Sequence, residues 1–292
     1  MAAPILVFGR NGQVARELAT LAERTGRAMV FAGRETLDLA DFNAIEGLIA
    51  KVGPSAVINA AAYTAVDKAE SEPDAAYALN RDAVDAMARA CAARDLPFVH
   101  FSTDYVFAGD LDRPYVETDP TGPTGVYGAS KLAGEQAVAA AGGAAIVLRT
   151  SWVYSVHGGN FVKTMLRLAA DRDELGVVGD QHGRPTWARD CAEAAVLAID
   201  ALASDPGRAG VYHLSGAGEA TWAEFATAVF EIAAQRGGPT ARVRPIATSD
   251  YPAPARRPAN SRLDCGKIEA AFPWRGRPWR DSLAACMTEM EL

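Results

Sequence analysis

The chain has 292 residues, of which 49% are apolar and 22% charged, and it carries a formal net charge of −7. Such a composition can bury a sizeable core and excludes a disordered chain, while the acidic balance argues against a nucleic-acid or anionic-membrane surface. The four cysteines, Cys91, Cys191, Cys265 and Cys286, are scattered without a C-x-x-C pair, which excludes a disulfide framework and a cysteine zinc site.

No run approaches the ~20 apolar residues of a membrane span. Met1-Ala2-Ala3-Pro4 leads into an apolar segment with no basic region before it, so a cytoplasmic protein is expected. Residues 5–8 predict a buried parallel strand and 13–24 a helix with Val14, Leu18, Leu21 and Ala22 on one face. A second strand over 28–32, a helix over 41–52 and a third strand over 56–59 follow. Then come a long helix over 74–94, a strand over 98–101, a helix over 126–140 and a strand over 144–148. This alternation predicts an α/β chain with a doubly wound, Rossmann-like parallel sheet. Beyond residue 150 the alternation loosens, with helices predicted over 160–170, 188–203, 222–235 and 280–290 and a strand over 211–214 returning to the sheet. The expected division is a dinucleotide-binding lobe of residues 1–155 plus about 188–216, and a smaller interleaved C-terminal α/β substrate lobe of about 156–187 and 217–292.

The first strand and helix are joined by Gly9-Arg10-Asn11-Gly12-Gln13-Val14-Ala15, of the form G-x-x-G-x-x-A. The first glycine allows a tight turn, the second lets backbone approach a pyrophosphate, and the small third residue lets helix pack on strand. The second strand ends in Phe31-Ala32-Gly33-Arg34, without the acidic residue that bonds a ribose 2′-hydroxyl. Arg34, helped by Arg10, suits a 2′-phosphate, so NADPH is favoured over NADH, with Asp38 and Leu39 near the adenine.

Tyr127-Gly128-Ala129-Ser130-Lys131 puts a tyrosine and a lysine one turn apart on the helix after the fourth strand. A nearby ammonium favours the phenolate and makes a tyrosine usable in acid–base chemistry. Thr103, at the carboxyl end of the fourth strand, adds a hydroxyl at the sheet edge where ligands of such folds bind.

The turn at Gly9, Asn59-Ala60-Ala61-Ala62, Ser102-Thr103-Asp104 and Tyr127-x-x-x-Lys131, in this order, resemble the extended short-chain dehydrogenase/reductases. Six blocks, two of them extending segments just named, resemble one family, the dTDP-4-dehydrorhamnose reductases. They begin at Asn59 (NAAAYTAVDKAE), Ser102 (STDYVF), Arg149 (RTSWVY), Asn160 (NFVKTM), Asp180 (DQHGRPT) and Arg256 (RRPANS). The resemblance implies reduction of a nucleotide-activated 4-keto sugar by NADPH, or NADH in some members. It makes Tyr127 the general acid, Lys131 its partner and ribose ligand, and Thr103 a donor to the keto oxygen. It places Ala61, Ala62 and Tyr63 against the cofactor, Val66, Asp104 and Trp152 against the substrate, and Arg184, Arg256 and Arg257 toward the diphosphate.

Some members of that family hold magnesium at a dimer contact through glutamates near the C-terminus. Here Met290 stands in place of one of them, so no metal is expected, and the chain is read as a monomer or homodimer. His100, His182 and His213 are read as structural, and Trp187, Trp222, Trp274 and Trp279 as packing residues. Two rival readings stay open: a nucleotide-sugar dehydratase or epimerase, against which Tyr105 stands where a second acid is needed, and a non-catalytic NADP(H)-binding regulatory subunit.

Overall fold

The computed structural model describes residues 3–291. The chain opens with β1 (Ile5–Phe8), α1 (Gln13–Thr25), β2 (Met29–Ala32), α2 (Phe42–Val52) and β3 (Ala56–Asn59). Short helices α3 (Val66–Ala69) and α4 (Pro73–Tyr77) precede α5 (Ala83–Ala92), β4 (Phe98–Thr103), α6 (Val126–Ala141) and β5 (Ala145–Thr150). Next are β6 (Val153–Tyr154), α7 (Phe161–Ala169), β7 (Glu174–Val178), β8 (His182–Gly183), β9 (Thr186–Trp187) and α8 (Ala188–Ser204). The remainder holds β10 (Gly210–Leu214), β11 (Ala220–Thr221), α9 (Trp222–Gln235), β12 (Arg242–Ile246), α10 (Gly266–Ala271) and α11 (Trp279–Thr288).

Six strands form one sheet in the order β10-β5-β4-β3-β1-β2, with every neighbouring pair parallel. Strands β1 and β3 are buried along their whole length because helices cover both faces of the sheet. On one face Leu18 of α1 and Cys191, Ala195 and Ile199 of α8 pack against Ile5, Val7 and Ile58. On the other, Ile45 and Ile49 of α2, Met87 of α5 and Val138 of α6 pack against Leu6, Phe8 and Val57. The strand order reverses between β1 and β3, which opens a crevice at their carboxyl ends. A separate apolar cluster joins α7, α9 and α11 through Val162, Phe225, Val229 and Leu283, with Tyr154 and Trp187. Residues 265–274, read from sequence as part of the smaller lobe, instead pack on the sheet core through Ile268, Phe272 and Trp274.

Two elements differ from the sequence expectation. The long helix expected over 74–94 is interrupted by a π-helical turn at Ala78–Asp82. Its extra residue brings buried Asn80 against the loop after β3, where Asn80 Oδ1 accepts from Tyr63 N at 2.9 Å and Nδ2 donates to Tyr63 O at 3.1 Å. Residues 174–178 and 242–246, to which the sequence reading assigns no element, form β7 and β12, which pair in parallel. Arg242, Arg244 and Pro245 hide that strand from a hydropathy reading, although Val243 packs on the second cluster.

All four cysteines are free and buried. Burial pushes the Cys91, Cys191 and Cys286 thiols up to about 12 and raises that of Cys265 as well.

Candidate active site

The turn after β1 is built for close backbone approach. Gly9 has φ +111°, and a Cβ there would stand 3.1 Å from the carbonyl carbon of Ala60. Gly12 caps α1 without any side-chain hydrogen bond, so the first amides of a 13-residue helix keep their N–H groups and positive dipole end for an anion. Arg10, Asn11 and Gly12 are exposed, and Gly9, Gln13 and Val14 half-buried. Gln13 also ties the turn to the rest of the chain, as Asn160 Nδ2 donates to its Oε1 at 3.0 Å. These residues fit a dinucleotide diphosphate.

The tip of β2 differs from the sequence reading. Arg34 is exposed, as expected, but an acid does reach the tip: Glu35 folds back over Gly33 and pairs with Arg10 Nη1 at 2.8 Å. Asp38 is exposed and accepts from Ala40 N at 3.0 Å, while Leu39 packs on the core beneath β2. Beyond β3, Asn59 Oδ1 accepts from Ala61 N at 3.0 Å, and Ala61, Ala62 and Tyr63 line the crevice edge half-buried. Tyr63 Oη donates to Glu72 Oε2 at 2.8 Å.

The end of β4 and the start of α6 bring the polar groups together. Val126 N, at the head of α6, donates to Glu70 Oε1 at 2.8 Å, so Glu70 supplies the cap that Gly125 lacks. Gly128 lets that first turn lie on the segment after β4, since a Cβ there would be 2.1 Å from Tyr105 O. Tyr127 then lies beside Thr103 and meets the Tyr105 ring edge-on, with centroids 5.5 Å apart. Burial pushes the Tyr127 phenol up to about 12; the Thr103 hydroxyl opposes the rise and the Asp104 charge adds to it.

Lys131 is buried, with Nζ donating to Phe101 O at 2.6 Å and lying 3.4 Å from His100 Nε2. Burial lowers it to about 8, against the pull of Glu135. The expectation that Lys131 draws the tyrosine's pKa down is not met here. Burial dominates at Tyr127, and the ammonium is turned to the Phe101 carbonyl. Beneath it, Glu135 forms a two-pronged pair with Arg149 (2.6 and 2.9 Å) and accepts from Ser102 Oγ at 2.5 Å.

Thr103 Oγ1 donates to Asp104 Oδ1 at 3.1 Å and accepts from Tyr105 N at 3.2 Å. Asp104 is only 4% exposed, and its Oδ2 has no partner among the described residues. Burial pushes its carboxyl up to about 6, against opposing hydrogen bonds from Ser261 and Thr103.

The other expected substrate contacts are more dispersed. Val66 opens α3, and the next residue, Asp67, accepts from Arg257 Nη2 at 2.7 Å. Arg257 Nη1 is buried without a partner among the described residues, whereas Arg256 is exposed. Arg184 is engaged within the protein: Nη1 donates to Leu263 O at 2.7 Å and Nη2 lies 3.8 Å from Glu219. Trp152 has φ +49° and stacks on Trp222 with centroids 3.5 Å apart, so Trp222 belongs to an aromatic wall with it. Sequence reading missed Glu35, Glu70, Asn80 and the Glu135–Arg149 pair. Glu70 lay inside a quoted block, and Asn80 was a polar residue on an apolar helix face.

Of the C-terminal glutamates, Glu289 is already engaged by a guanidinium. Both oxygens of Glu289 accept from Arg189, at 2.6 and 2.7 Å, and Arg189 Nε donates to buried Glu17 Oε2 at 3.0 Å. A guanidinium occupies the carboxylates that a divalent ion would need, and no group of three or more metal-ligating side chains occurs among the described residues. No helix among them is long and apolar enough to cross a membrane.

The chain matches the family described as the RmlD substrate binding domain over residues 3–292. It is 48% identical to the dTDP-4-dehydrorhamnose reductase of Sinorhizobium fredii, covering 95% of this chain and 94% of that one. It is 42% identical to the enzyme of that name from Escherichia coli K12, covering 98% and 97%. Among solved structures, a dTDP-4-dehydrorhamnose reductase of Bacillus anthracis in complex with NADP superposes with a TM-score of 0.91 at 33% identity, over 99% of this chain and 100% of that one. One from Clostridium acetobutylicum gives 0.90 at 34%, over 98% of each.

Proposed function

The chain belongs to the RmlD substrate-binding-domain family, with the dTDP-4-dehydrorhamnose reductases as relatives, and on that footing we propose that it reduces dTDP-4-dehydro-6-deoxy-L-mannose at its 4-keto group with NADPH, giving dTDP-L-rhamnose. The observation that carries this reading is the meeting of Thr103 and Asp104, from β4, with Tyr127 and Lys131, from α6, beside the uncapped first turn of α1.

The cofactor supplies a hydride to the carbonyl carbon. The chain binds, orients and protonates. The amides at the head of α1 hold the diphosphate, and Lys131 Nζ holds the nicotinamide ribose. As negative charge grows on the sugar oxygen, Tyr127 Oη delivers its proton to it, and Thr103 Oγ1 aligns that phenol. A phenol raised to about 12 keeps its proton at neutral pH until an alkoxide, a stronger base, asks for it. The unpartnered Asp104 Oδ2 accepts a sugar hydroxyl, which relieves a buried orphan acceptor. Val66, Trp152 and Trp222 line the sugar's apolar face. Arg257, with its free Nη1, faces the nucleotide diphosphate together with Arg256 and with Arg184, whose Nε is likewise buried without a partner among the described residues.

The test is to follow NADPH absorbance with purified protein and enzymatically generated dTDP-4-dehydro-6-deoxy-L-mannose, and to identify the product. NADPH consumption yielding dTDP-L-rhamnose supports the reading. Binding of NADPH without consumption sinks it.

A further inference from the structure

Tyr127 sits in the first turn of α6, one residue after the amide that opens the helix. Close backbone packing fixes where the helix lies, since Cβ atoms on Gly128 and Gly134 would collide with the carbonyl oxygens of Tyr105 and Asn80. How its first turn is held is a separate matter. Gly125, before that turn, is extended (φ −150°, ψ 168°) as N-cap residues are, but has no side chain to cap with. The cap comes from 56 residues away, where Glu70 Oε1 accepts from Val126 N at 2.8 Å. A carboxylate there also meets the positive end of a 16-residue helix.

The fit is mutual. A Cβ on Gly125 would stand 2.7 Å from Glu70 Oε1, so a side chain at 125 would expel the carboxylate. Among the described residues Glu70 makes no ion pair, and its carboxylate serves this amide. Glu70 directly follows α3, which is anchored by fully buried Ala69. The first residue of α3 is Val66, read above as lining the sugar. The second, Asp67, accepts from Arg257 Nη2 at 2.7 Å and from Ala255 N at 3.2 Å. One short segment thus carries contacts assigned to the substrate and the cap on the helix that bears Tyr127.

We propose that Glu70 is a positioning residue for the reduction: capping α6 from α3, it fixes the Tyr127 phenol relative to the sugar beside Val66. Without the cap the first turn of α6 frays, and the phenol loses its set distance to the sugar oxygen. Proton delivery then slows, while the cofactor, held at α1 and by Lys131 one turn further on, stays in place. The inference rests on the reading that Tyr127 protonates the reduced sugar.

The test uses the full chain with NADPH and the 4-keto sugar nucleotide, and reads kcat and its solvent deuterium isotope effect. Glu70→Ala is expected to lower kcat about fivefold, with KM for NADPH within about twofold of the unsubstituted chain. Its isotope effect should rise because proton delivery has slowed, whereas a mere loss of folded protein would leave that ratio unchanged. Glu70 is exposed, and Glu70→Gln, which keeps an acceptor oxygen, should recover most of the rate. In the Glu70→Ala background, Gly125→Ser supplies a hydroxyl at the N-cap and should recover it too. Amide hydrogen exchange over residues 125–128 needs no substrate; it should quicken in Glu70→Ala and slow again in the double variant. An unchanged kcat, isotope effect or exchange rate in Glu70→Ala, or a loss that Gly125→Ser leaves unrepaired, overturns the role of Glu70. An unsubstituted chain that binds NADPH without consuming it overturns the functional reading instead, and this inference with it.

Discussion

His100 Nε2 and Lys131 Nζ face each other at 3.4 Å, and both carry hydrogen. The assignment follows from the chain behind them. Ala61 N–H can only donate, so it fixes Asn59 Oδ1 as its acceptor and turns Asn59 Nδ2 toward His100 Nδ1 at 3.0 Å. Nδ1 must then accept, which leaves the imidazole proton on Nε2, aimed at the lysine. Phe101 O is the acceptor that remains to the buried amine, and burial has already lowered Lys131 to about 8.

A pH profile follows from this arrangement. Tyr127, at about 12, stays protonated through the working range, so the alkaline limb of kcat/KM belongs to Lys131 and falls above about pH 8. Of the charged groups nearby, Glu135 opposes that loss of the proton and neutral His100 does not. His100→Gln can turn a carbonyl oxygen to the ammonium, and the limb should then move to higher pH. A limb that stays in place would show that His100 does not act on Lys131.

Tyr127→Phe removes the proton source but little of the cofactor surface. Turnover should fall by about a hundredfold or more, with NADPH affinity nearly unchanged. Thr103→Val, which leaves Tyr127 unaligned, should lose about tenfold or more, and Thr103→Ser should recover most of that. Near-normal turnover in Tyr127→Phe would remove the proton donor from the scheme.

Asp104 carries a stability cost whose sign is fixed by its raised pKa. A carboxyl at about 6 in the folded chain, against 3.8 unfolded, binds its proton more tightly when folded. The cost of ionising it in the interior is therefore absent below about pH 4, grows between about pH 4 and 6, and is complete above that, reaching roughly 3 kcal/mol. Asp104→Asn should raise the melting temperature at pH 7.5 more than at pH 4, while turnover drops. An equal shift at both pH values would contradict this account.

The Glu17–Arg189–Glu289 bridge joins the first helix to the residue after the last one. Glu17 is 1% exposed, so Arg189→Ala leaves a buried charge unmatched and should cost about 3–5 kcal/mol in denaturant unfolding. Chelators should leave the melting temperature of the unsubstituted chain alone. Millimolar magnesium should partly restore the variant, whose two carboxylates are then free to bind an ion.

Much of the sheet was legible because parallel strands buried on both faces read as short apolar runs, as Ile5–Phe8 and Ala56–Asn59 do. The Gly9 turn and the Tyr127/Lys131 pair were legible because each depends on residues close in sequence. The rest depended on tertiary partners. Asn80 breaks its helix into a π turn for the sake of the backbone at Tyr63, 17 residues away. Glu35 reaches the strand tip through a turn whose hydrogen bonds no hydropathy pattern encodes. Strand β12 carries arginines on a ribbon that packs with one side only.

The buried cysteines have a practical side. With every native thiol shielded and held protonated, maleimide reagents have nothing to attack at neutral pH. A cysteine introduced at Tyr251, which is 62% exposed and adjoins the proline- and arginine-rich segment leading to Arg257, would take a fluorophore alone. Optical reporting of nucleotide-sugar binding thus needs one substitution in this chain, and no prior removal of its own cysteines.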